Sequence, residues 1–414
     1  MRKKIAFIVQ RYGLEVNGGA EYHCRIIAEK LKDIYDVEVL TSCAKDYTTW
    51  NDEYEPGATT INGVAVHRFA SANPRDRKNL RMISRKIKKR KNYQKLLRSL
   101  GLLDFYEKII PSNITDEDYR KWVQYQGPYL PQLIDFLKEK NSNYDALIFF
   151  TYLYYPTIEG IKIAPEKSIL IPTAHDEPAI YFPFFQQFFN TPKAILYNSL
   201  SEKRFVNRLF NNNSIYSVIA GIGIDAPEPE AKLTIKDILK TDNEYLLYVG
   251  RVDAFKGCKI LCDYLLKYNN NSAKTLKLVL VGQVIMPVPA SEDIITLGFV
   301  SEDVKINMMQ NAKALVIPSF YESLSLVTLE SMAYGVPVIA NENCEVLKDH
   351  IHNSNAGFLF NDYSSFKNSL DTILSPDFDA TILSENAKKY VAENYRWPAT
   401  IEKYRKAIDY VSPH

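Results

Sequence analysis

The sequence has 414 residues, 46% of them hydrophobic and 24% charged, with a net charge of +2. That balance fits a globular chain of roughly two to three domains and sets aside disordered, collagenous and membrane-spanning classes. The five cysteines (Cys24, Cys43, Cys258, Cys262 and Cys344) are scattered without zinc-ligand spacing, which predicts free thiols in a reducing compartment.

Apolar runs of strand length alternate with segments of helical period along the whole chain, the pattern of a parallel sheet wound by crossover helices. The first strand, over 5–9, leads into Asn17-Gly18-Gly19-Ala-Glu21 and a helix over 22–32. Further strands are predicted at 37–40 and 64–69. A long insertion at about 73–140 then reads as two or three helices, with Thr115-Asp-Glu-Asp118 supplying an N-cap and an acidic first turn. Strands at 146–150, 168–171, 194–197 and 215–219 complete the first set. Asp225-Ala-Pro-Glu-Pro-Glu-Ala231 interrupts regular structure and marks a boundary. A second set follows at 245–249, 276–281, 294–297, 314–317, 336–339 and 357–359. The expected domains are 1–225 and 226–395, with a terminal helix at 396–414. Two such open sheets are expected to face a central cleft at their carboxyl ends, where α/β proteins bind ligands.

Two loops carry the chemistry. Gly250-Arg251-Val-Asp-Ala-Phe-Lys256-Gly257 follows one strand and precedes a helix. Its guanidinium fork and mobile ammonium suit a diphosphate without a metal ion. Pro318-Ser-Phe-Tyr-Glu322 through Glu330 also runs from strand to helix, so the backbone amides around Ser325, Leu326 and Val327 point at an anion with the helix dipole behind them. Taken alone, each loop also admits a plain reading, as a solvated basic turn or as a capped helix with a surface glutamate.

Together these stretches resemble the retaining glycosyltransferases of family 4, which have the GT-B fold of two Rossmann-like domains. Arg251 and Lys256 fall on that family's Gly-Arg-x4-Lys-Gly pattern. Glu322 and Glu330 fall on its Glu-x7-Glu pattern, followed by Ala333, Gly335, Pro337 and Val338, and Gly298-Phe299-Val300 lies between the two. The resemblance covers about 245–360. It implies that Arg251 and Lys256 hold the diphosphate of a nucleotide sugar, that Glu322 contacts hydroxyls of the donor sugar, and that Glu330 holds the ribose. Donor contacts are expected also at Gly250, Ser325, Leu326, Val327 and Phe299, and at Gly18 and Gly19 beside the donor phosphate or the acceptor. His175, in Pro172-Thr-Ala-His-Asp-Glu-Pro178 with Asp176 adjacent, stands where the family keeps a histidine on the sugar and acceptor side. His175 and Glu322 are thus the expected catalytic pair. Ala220-Gly-Ile-Gly-Ile-Asp225 and Asn341-Glu-Asn-Cys-Glu345 depart from the family pattern at the hinge and acceptor side.

The resemblance implies sugar transfer with retention at the anomeric carbon, no metal and no cofactor beyond the nucleotide sugar. The acceptor would be a glycan or lipid-linked glycan of a bacterial cell surface. Rival motifs lack a carrier. Asp116-Glu-Asp118 and Asp377-Phe-Asp379 stand away from core strand ends, where capping and turn roles suffice. Pro227 and Pro229 forbid the helix a dinucleotide fingerprint at Gly221-Ile-Gly223 requires. A sugar-nucleotide epimerase of the same fold is the first alternative.

Charge along the chain is uneven. Twelve Lys or Arg stand between Arg75 and Arg98 against the single acid Asp76, leaving the rest of the chain net acidic. As a helix this stretch places Leu80, Ile83, Ile87, Leu96 and Leu97 among the cations. An anionic membrane is the preferred partner, a solvated helix the second reading and nucleic acid the last, since only Tyr93 offers a stacking ring. No apolar run approaches the ~18 residues of a membrane span, and Ile5-Ala-Phe-Ile-Val9 is too short for a signal-peptide core. The expected location is the cytoplasm, peripheral on the inner face of the membrane.

Overall fold

A computed structural model describes residues 2–16, 18–87, 102, 114–230, 234–240, 243–272 and 274–412. Its contacts divide the chain into two compact units, one of 1–220 with 401–414 and one of 221–400. The division falls ahead of the proline-rich segment because 223–225 are tied to the other end of the second unit. Ile224 N–H donates to Tyr395 O at 2.9 Å, Trp397 Nε1 donates to Asp225 at 2.9 Å, and the Trp397 ring covers Gly223 so closely that no Cβ fits there.

Among the described residues the first unit contains one eight-stranded sheet, built from β1 (Lys4–Ile8), β2 (Asp36–Ser42), β3 (Gly57–Ile61), β4 (Val64–Phe69), β5 (Ala146–Phe150), β6 (Ser168–Ile171), β7 (Ala194–Tyr197) and β8 (Tyr216–Ile219). Their order is β3-β4-β2-β1-β5-β6-β7-β8, parallel throughout except for the β3–β4 pair. The sequence pattern missed β3. Its residues Gly57-Ala-Thr-Thr-Ile61 are partly or fully exposed and show no apolar alternation, because it is an edge strand with its inner side on β4 alone. β1 and β5 are buried along nearly their whole length, as strands covered on both faces must be.

The insertion supplies helices Arg77–Ile87, Asp116–Gln126 and Pro131–Lys140. Thr115 and Asp118 form a capping box at the start of the second, and Asp118 also accepts from Lys86 Nζ at 2.6 Å. Asp379 accepts from the Thr381 amide at 2.9 Å. Both Asp-x-Asp strings therefore have local structural partners. In the basic helix Arg77–Ile87, Leu80 and Ile83 pack on the core and Ile87 is buried, so these three of the apolar residues expected to face a membrane face inward instead. Lys78, Arg81, Met82 and Arg85 remain exposed. The remainder of the stretch, 88–98, lies outside the described residues.

Residues from 401 onward pack on the first unit. Tyr404 is buried with its hydroxyl 3.2 Å from His23 Nε2, Lys3 Nζ lies 2.8 Å from Asp409, and Tyr410 stacks on Tyr216.

The second unit's sheet has six strands among the described residues: β9 (Tyr245–Val249), β10 (Lys277–Val281), β11 (Ile294–Gly298), β12 (Ala314–Ile317), β13 (Val338–Asn341) and β14 (Gly357–Phe360). All pairs are parallel in the order β11-β10-β9-β12-β13-β14. That is the doubly wound order in which the winding reverses between its first and fourth strands, here β9 and β12. Cys258 and Cys262 lie in this unit's core, and all five cysteines are buried and unbridged.

Candidate functional site

The two motif loops leave the carboxyl ends of β9 and β12, the neighbouring strands at which the second sheet reverses direction. In open α/β sheets the loops at that reversal splay apart and leave room for a ligand. Each is held in place locally. Gly250 (φ 147°) turns the chain out of β9, with its amide on Val281 O at 2.8 Å. Asp253 then does two jobs. One carboxylate oxygen accepts from the Phe255 amide at 3.0 Å and caps the turn Ala254–Lys256, and the other accepts from Arg251 Nε at 3.0 Å. Gly257 follows at φ 78°, packed so closely on the Pro318 carbonyl at the end of β12 that a Cβ has no room. This close approach brings the loops together, and Lys256 Nζ lies 2.8 Å from Glu322 Oε1.

The helix Leu326–Ala333 begins abruptly. Its N-cap, Ser325, is left-handed at φ 58° and turns its hydroxyl to Thr328 Oγ1 at 2.8 Å instead of to a backbone amide. The amides of Leu326 and Val327 take no acceptor among the described residues, so the helix that follows the Glu322 loop starts with uncapped N–H groups. The preceding turn is braced by a residue outside both motifs. His350, fully enclosed, donates from Nε2 to Leu324 O at 2.7 Å; because a carbonyl only accepts, Nδ1 is left to accept from Tyr390 at 3.0 Å. Burial pulls the His350 pKa down, keeping the ring neutral.

Glu330 lies one helical turn further on. Burial pushes its carboxyl up from the usual range, opposed by Lys305, whose Nζ stands 3.2 Å away. Lys305 also reaches Glu302 at 2.5 Å, and those two carboxylates outweigh the effect of its burial and hold its own pKa above the ordinary value. Lys305 belongs to no motif. It comes from the helix Glu302–Gln310, and only the fold places it against Glu330. Phe299 is 59% exposed in the loop after β11, two strands from β9, while Phe255 in the Lys256 loop is 86% exposed.

The first unit repeats the arrangement at its own reversal, between β1 and β5. Gly18 precedes the helix Gly19–Leu31 over the buried carboxylate of Glu21, which occupies the space a Cβ would need. Glu21 accepts from Gln10 Nε2 at 2.9 Å and from Arg11 Nε at 3.0 Å, so a buried ion pair underlies the glycines. Nothing lies near the Cβ position of Gly19.

His175 follows β6. The carboxylate that meets it is Glu177, 3.8 Å from Nε2, rather than Asp176, which accepts from Tyr181 at 2.6 Å. Glu177 is steadied by the Tyr152 hydroxyl at 2.6 Å. Behind this loop Glu202, 2% exposed, receives the Ala174 amide at 2.5 Å and the Asn198 amide at 2.6 Å, tying the His175 loop to the loop after β7. Burial pushes the Glu202 carboxyl up to about 8 against those bonds.

Comparison with known proteins fits this architecture. Residues 231–390 match the family model described as glycosyl transferases group 1. The structure of Anabaena HepE in complex with UDP and glucose superposes with a TM-score of 0.68 at 15% identity, covering 98% of this chain and 99% of that one. WaaG, a glycosyltransferase involved in lipopolysaccharide biosynthesis, superposes with a TM-score of 0.61 at 14% identity over 99% of this chain and 100% of that one. The fold is GT-B. The family model's match is confined to the second unit, and the solved neighbours show the fold. An uncharacterized glycosyltransferase of Methanocaldococcus jannaschii is 28% identical over 185 residues, 41% of this chain and 47% of its own length. The chain thus spans about half the length of that curated relative.

Proposed function

We propose that this chain is a retaining glycosyltransferase that moves a hexose from a nucleotide-diphosphate sugar to a glycan or lipid-linked glycan, in the synthesis of a bacterial cell-surface polysaccharide. The observation that carries the reading is the 2.8 Å approach of Lys256 to Glu322, whose loop runs into the uncapped amides of Leu326 and Val327. A cation, a sugar-hydroxyl acceptor and two anion-binding N–H groups belong to the loops at the reversal of a doubly wound sheet. The neighbour solved with UDP and glucose supports a nucleotide-sugar donor, and the one involved in lipopolysaccharide biosynthesis supports a surface-glycan role.

In this reading Arg251, Lys256 and the helix amides stabilise the departing diphosphate as the anomeric bond opens toward an oxocarbenium-like state. Lys256 begins paired with Glu322, so arrival of the diphosphate competes for the ammonium and frees the carboxylate for the donor sugar's hydroxyls. Glu330 accepts from the ribose, and His175, oriented by Glu177, contacts the sugar on the acceptor side. Retention follows if the departing phosphate takes the acceptor's proton on the face it leaves. The cations and amides carry the stabilisation that a metal supplies elsewhere, so a chelator should leave transfer unchanged.

The exposed cations Lys78, Arg81 and Arg85 support attachment to the anionic inner face of a membrane through charge rather than apolar insertion. No helix among the described residues is long and apolar enough to cross a membrane.

The reading is tested by incubating the protein with UDP-, GDP- and ADP-sugars and a lipid-linked glycan extract, with chelator present, and assigning the product's anomeric configuration by NMR. A product with the donor's configuration supports it. An inverted product, or a donor sugar isomerised without transfer, overturns it.

A further inference from the structure

Three arginines stand at the carboxyl end of the first unit's sheet, and they differ in what meets their charge. Arg11 is paired with Glu21, the Nη2 to Oε1 distance being 2.5 Å. Arg68, 4% exposed, lies with its guanidinium carbon 3.9 Å from the centre of the Tyr54 ring. Arg75 is the least compensated of the three: no carboxylate among the described residues bonds it, Asp46 acts on it only at longer range, and its ring contact is longer than that of Arg68. Nη1 donates to Tyr47 O at 2.7 Å and Nη2 to Gln126 Oε1 at 3.0 Å, both neutral oxygens, and the Trp50 ring is 5.7 Å away. Its Nε is closed off from solvent and has no acceptor among the described residues. No carboxylate lies within ion-pair distance of Arg75 among the described residues, although its guanidinium is held in one plane and stays charged. A half-buried guanidinium bonded only by neutral groups, with the charge of Arg77 opposing its own, gains from a counter-ion that completes it.

Its surroundings are those of a ligand site. The loops that carry Tyr47 and Trp50, Arg75, and Tyr154 leave β2, β4 and β5, around the reversal between β1 and β5. Trp50 is left-handed at φ 56° and meets Tyr154 edge-on at 5.4 Å. Tyr154 lies within electrostatic reach of Glu21, Arg75, Arg11 and Glu177, which links Arg75 to both the Gly18 loop and the His175 loop. Buried polar atoms with no partner among the described residues lie at the same end of the sheet: Gln10 Oε1 and the Tyr12 hydroxyl after β1, the Ser71 hydroxyl after β4, and the Thr151 hydroxyl after β5. Buried polar groups are ordinarily paired, so their concentration here marks a place finished by something that brings its own donors and acceptors. Burial also pulls the Arg75 pKa down.

We propose that Arg75 anchors an oxyanion on the acceptor, so that the sugar bound by the first unit carries a phosphate or a carboxylate rather than being neutral. The word acceptor rests on the glycosyltransferase reading above; the anion site itself does not. The unspent N–H groups of the fork match paired oxygens of either anion, while the orphaned hydroxyls and the amide oxygen of Gln10 suit sugar hydroxyls.

The test is calorimetric titration of the full chain with glucose 6-phosphate, glucuronate and glucose, with UDP titrated separately into each protein. For the wild type, at least one anionic sugar should bind about tenfold or more tightly than glucose, and the better of the two identifies the anion. Arg75→Gln should lose that margin and Arg75→Lys should keep part of it. UDP affinity, which also reports that each variant is folded, should not change. If Arg75→Gln does not fold, Arg75→Lys carries the comparison. Equal binding of glucose and both anionic sugars, or an unchanged margin in the Arg75 variants, overturns the proposal. UDP binding without anionic-sugar binding removes the Arg75 site and leaves the glycosyltransferase reading standing. The converse removes that reading and leaves the site.

Discussion

The Lys256 ammonium and the Glu322 carboxylate, 66 residues apart in sequence, meet at 2.8 Å across the loops that leave β9 and β12. In the proposed reading an arriving diphosphate competes with Glu322 for the ammonium. Glu322→Gln removes that competition. The variant should therefore bind UDP severalfold more tightly than the wild type, by about 1 kcal/mol, the worth of a partly exposed ion pair. Its transfer rate should fall by about a hundredfold if the carboxylate is also needed on the donor sugar. Calorimetry and a transfer assay on the same preparation check both. Unchanged UDP affinity would mean that the pair does not gate the site.

Lys305 is expected to matter as much as the motif residues. Its removal leaves the Glu330 carboxylate without its cation in a largely buried position, where a hydrogen bond to a charged group is worth about 1.5–3 kcal/mol. Lys305→Met should destabilise the protein by that order in urea unfolding. It should also make nucleotide affinity fall more steeply with decreasing pH, as Glu330 protonates more readily. Equal pH profiles for the variant and the wild type would contradict this.

Gly257→Ala tests whether the loop contact is what delivers Lys256. The left-handed φ of 78° costs a non-glycine residue about 1–2 kcal/mol, and the added methyl also collides with the Pro318 carbonyl. Stability should drop by at least that much, and nucleotide affinity should drop with it as Lys256 is carried away from Glu322. Gly19→Ala, where a Cβ meets nothing, should leave stability within about 0.5 kcal/mol.

His350 makes a pH prediction whose sign follows from its burial. The folded-state pKa lies below the ordinary 6.5, so above that pH neither state carries the proton and the ring contributes nothing. As pH falls below 6.5 the unfolded chain takes up a proton that the folded chain refuses, and stability declines until the folded pKa is reached. Unfolding free energies from urea titration at pH 7.5 and 5.5 should differ more for the wild type than for His350→Gln, by up to about 1.4 kcal/mol. The same difference in both proteins would remove His350 from the account.

What the sequence showed and what it hid divide on physical lines. The loops that hold Arg251, Lys256, Glu322 and Glu330 were legible because a strand, a turn with glycine and a helix fall in short contiguous stretches. Lys305, His350 and Glu202 were not, since each acts on a partner at least 25 residues away and nothing near it in sequence signals the meeting. The exchange of Asp176 for Glu177 beside His175 is a matter of loop conformation, which spacing does not encode. The apolar residues of the basic helix could be counted but not oriented. Their period fits a membrane surface and a protein core equally well, and the fold chose the core.

The most direct measurement is calorimetric titration of UDP, GDP and ADP into the wild type and into Lys256→Ala, Arg251→Ala and Glu330→Ala. One nucleotide should bind the wild type with micromolar affinity, and each substitution should weaken it by about tenfold or more while the melting temperature of the free protein stays within a few degrees. Absence of binding by all three nucleotides, or binding that survives the loss of Lys256 and Arg251, would contradict the claim that the loops after β9 and β12 form a diphosphate site.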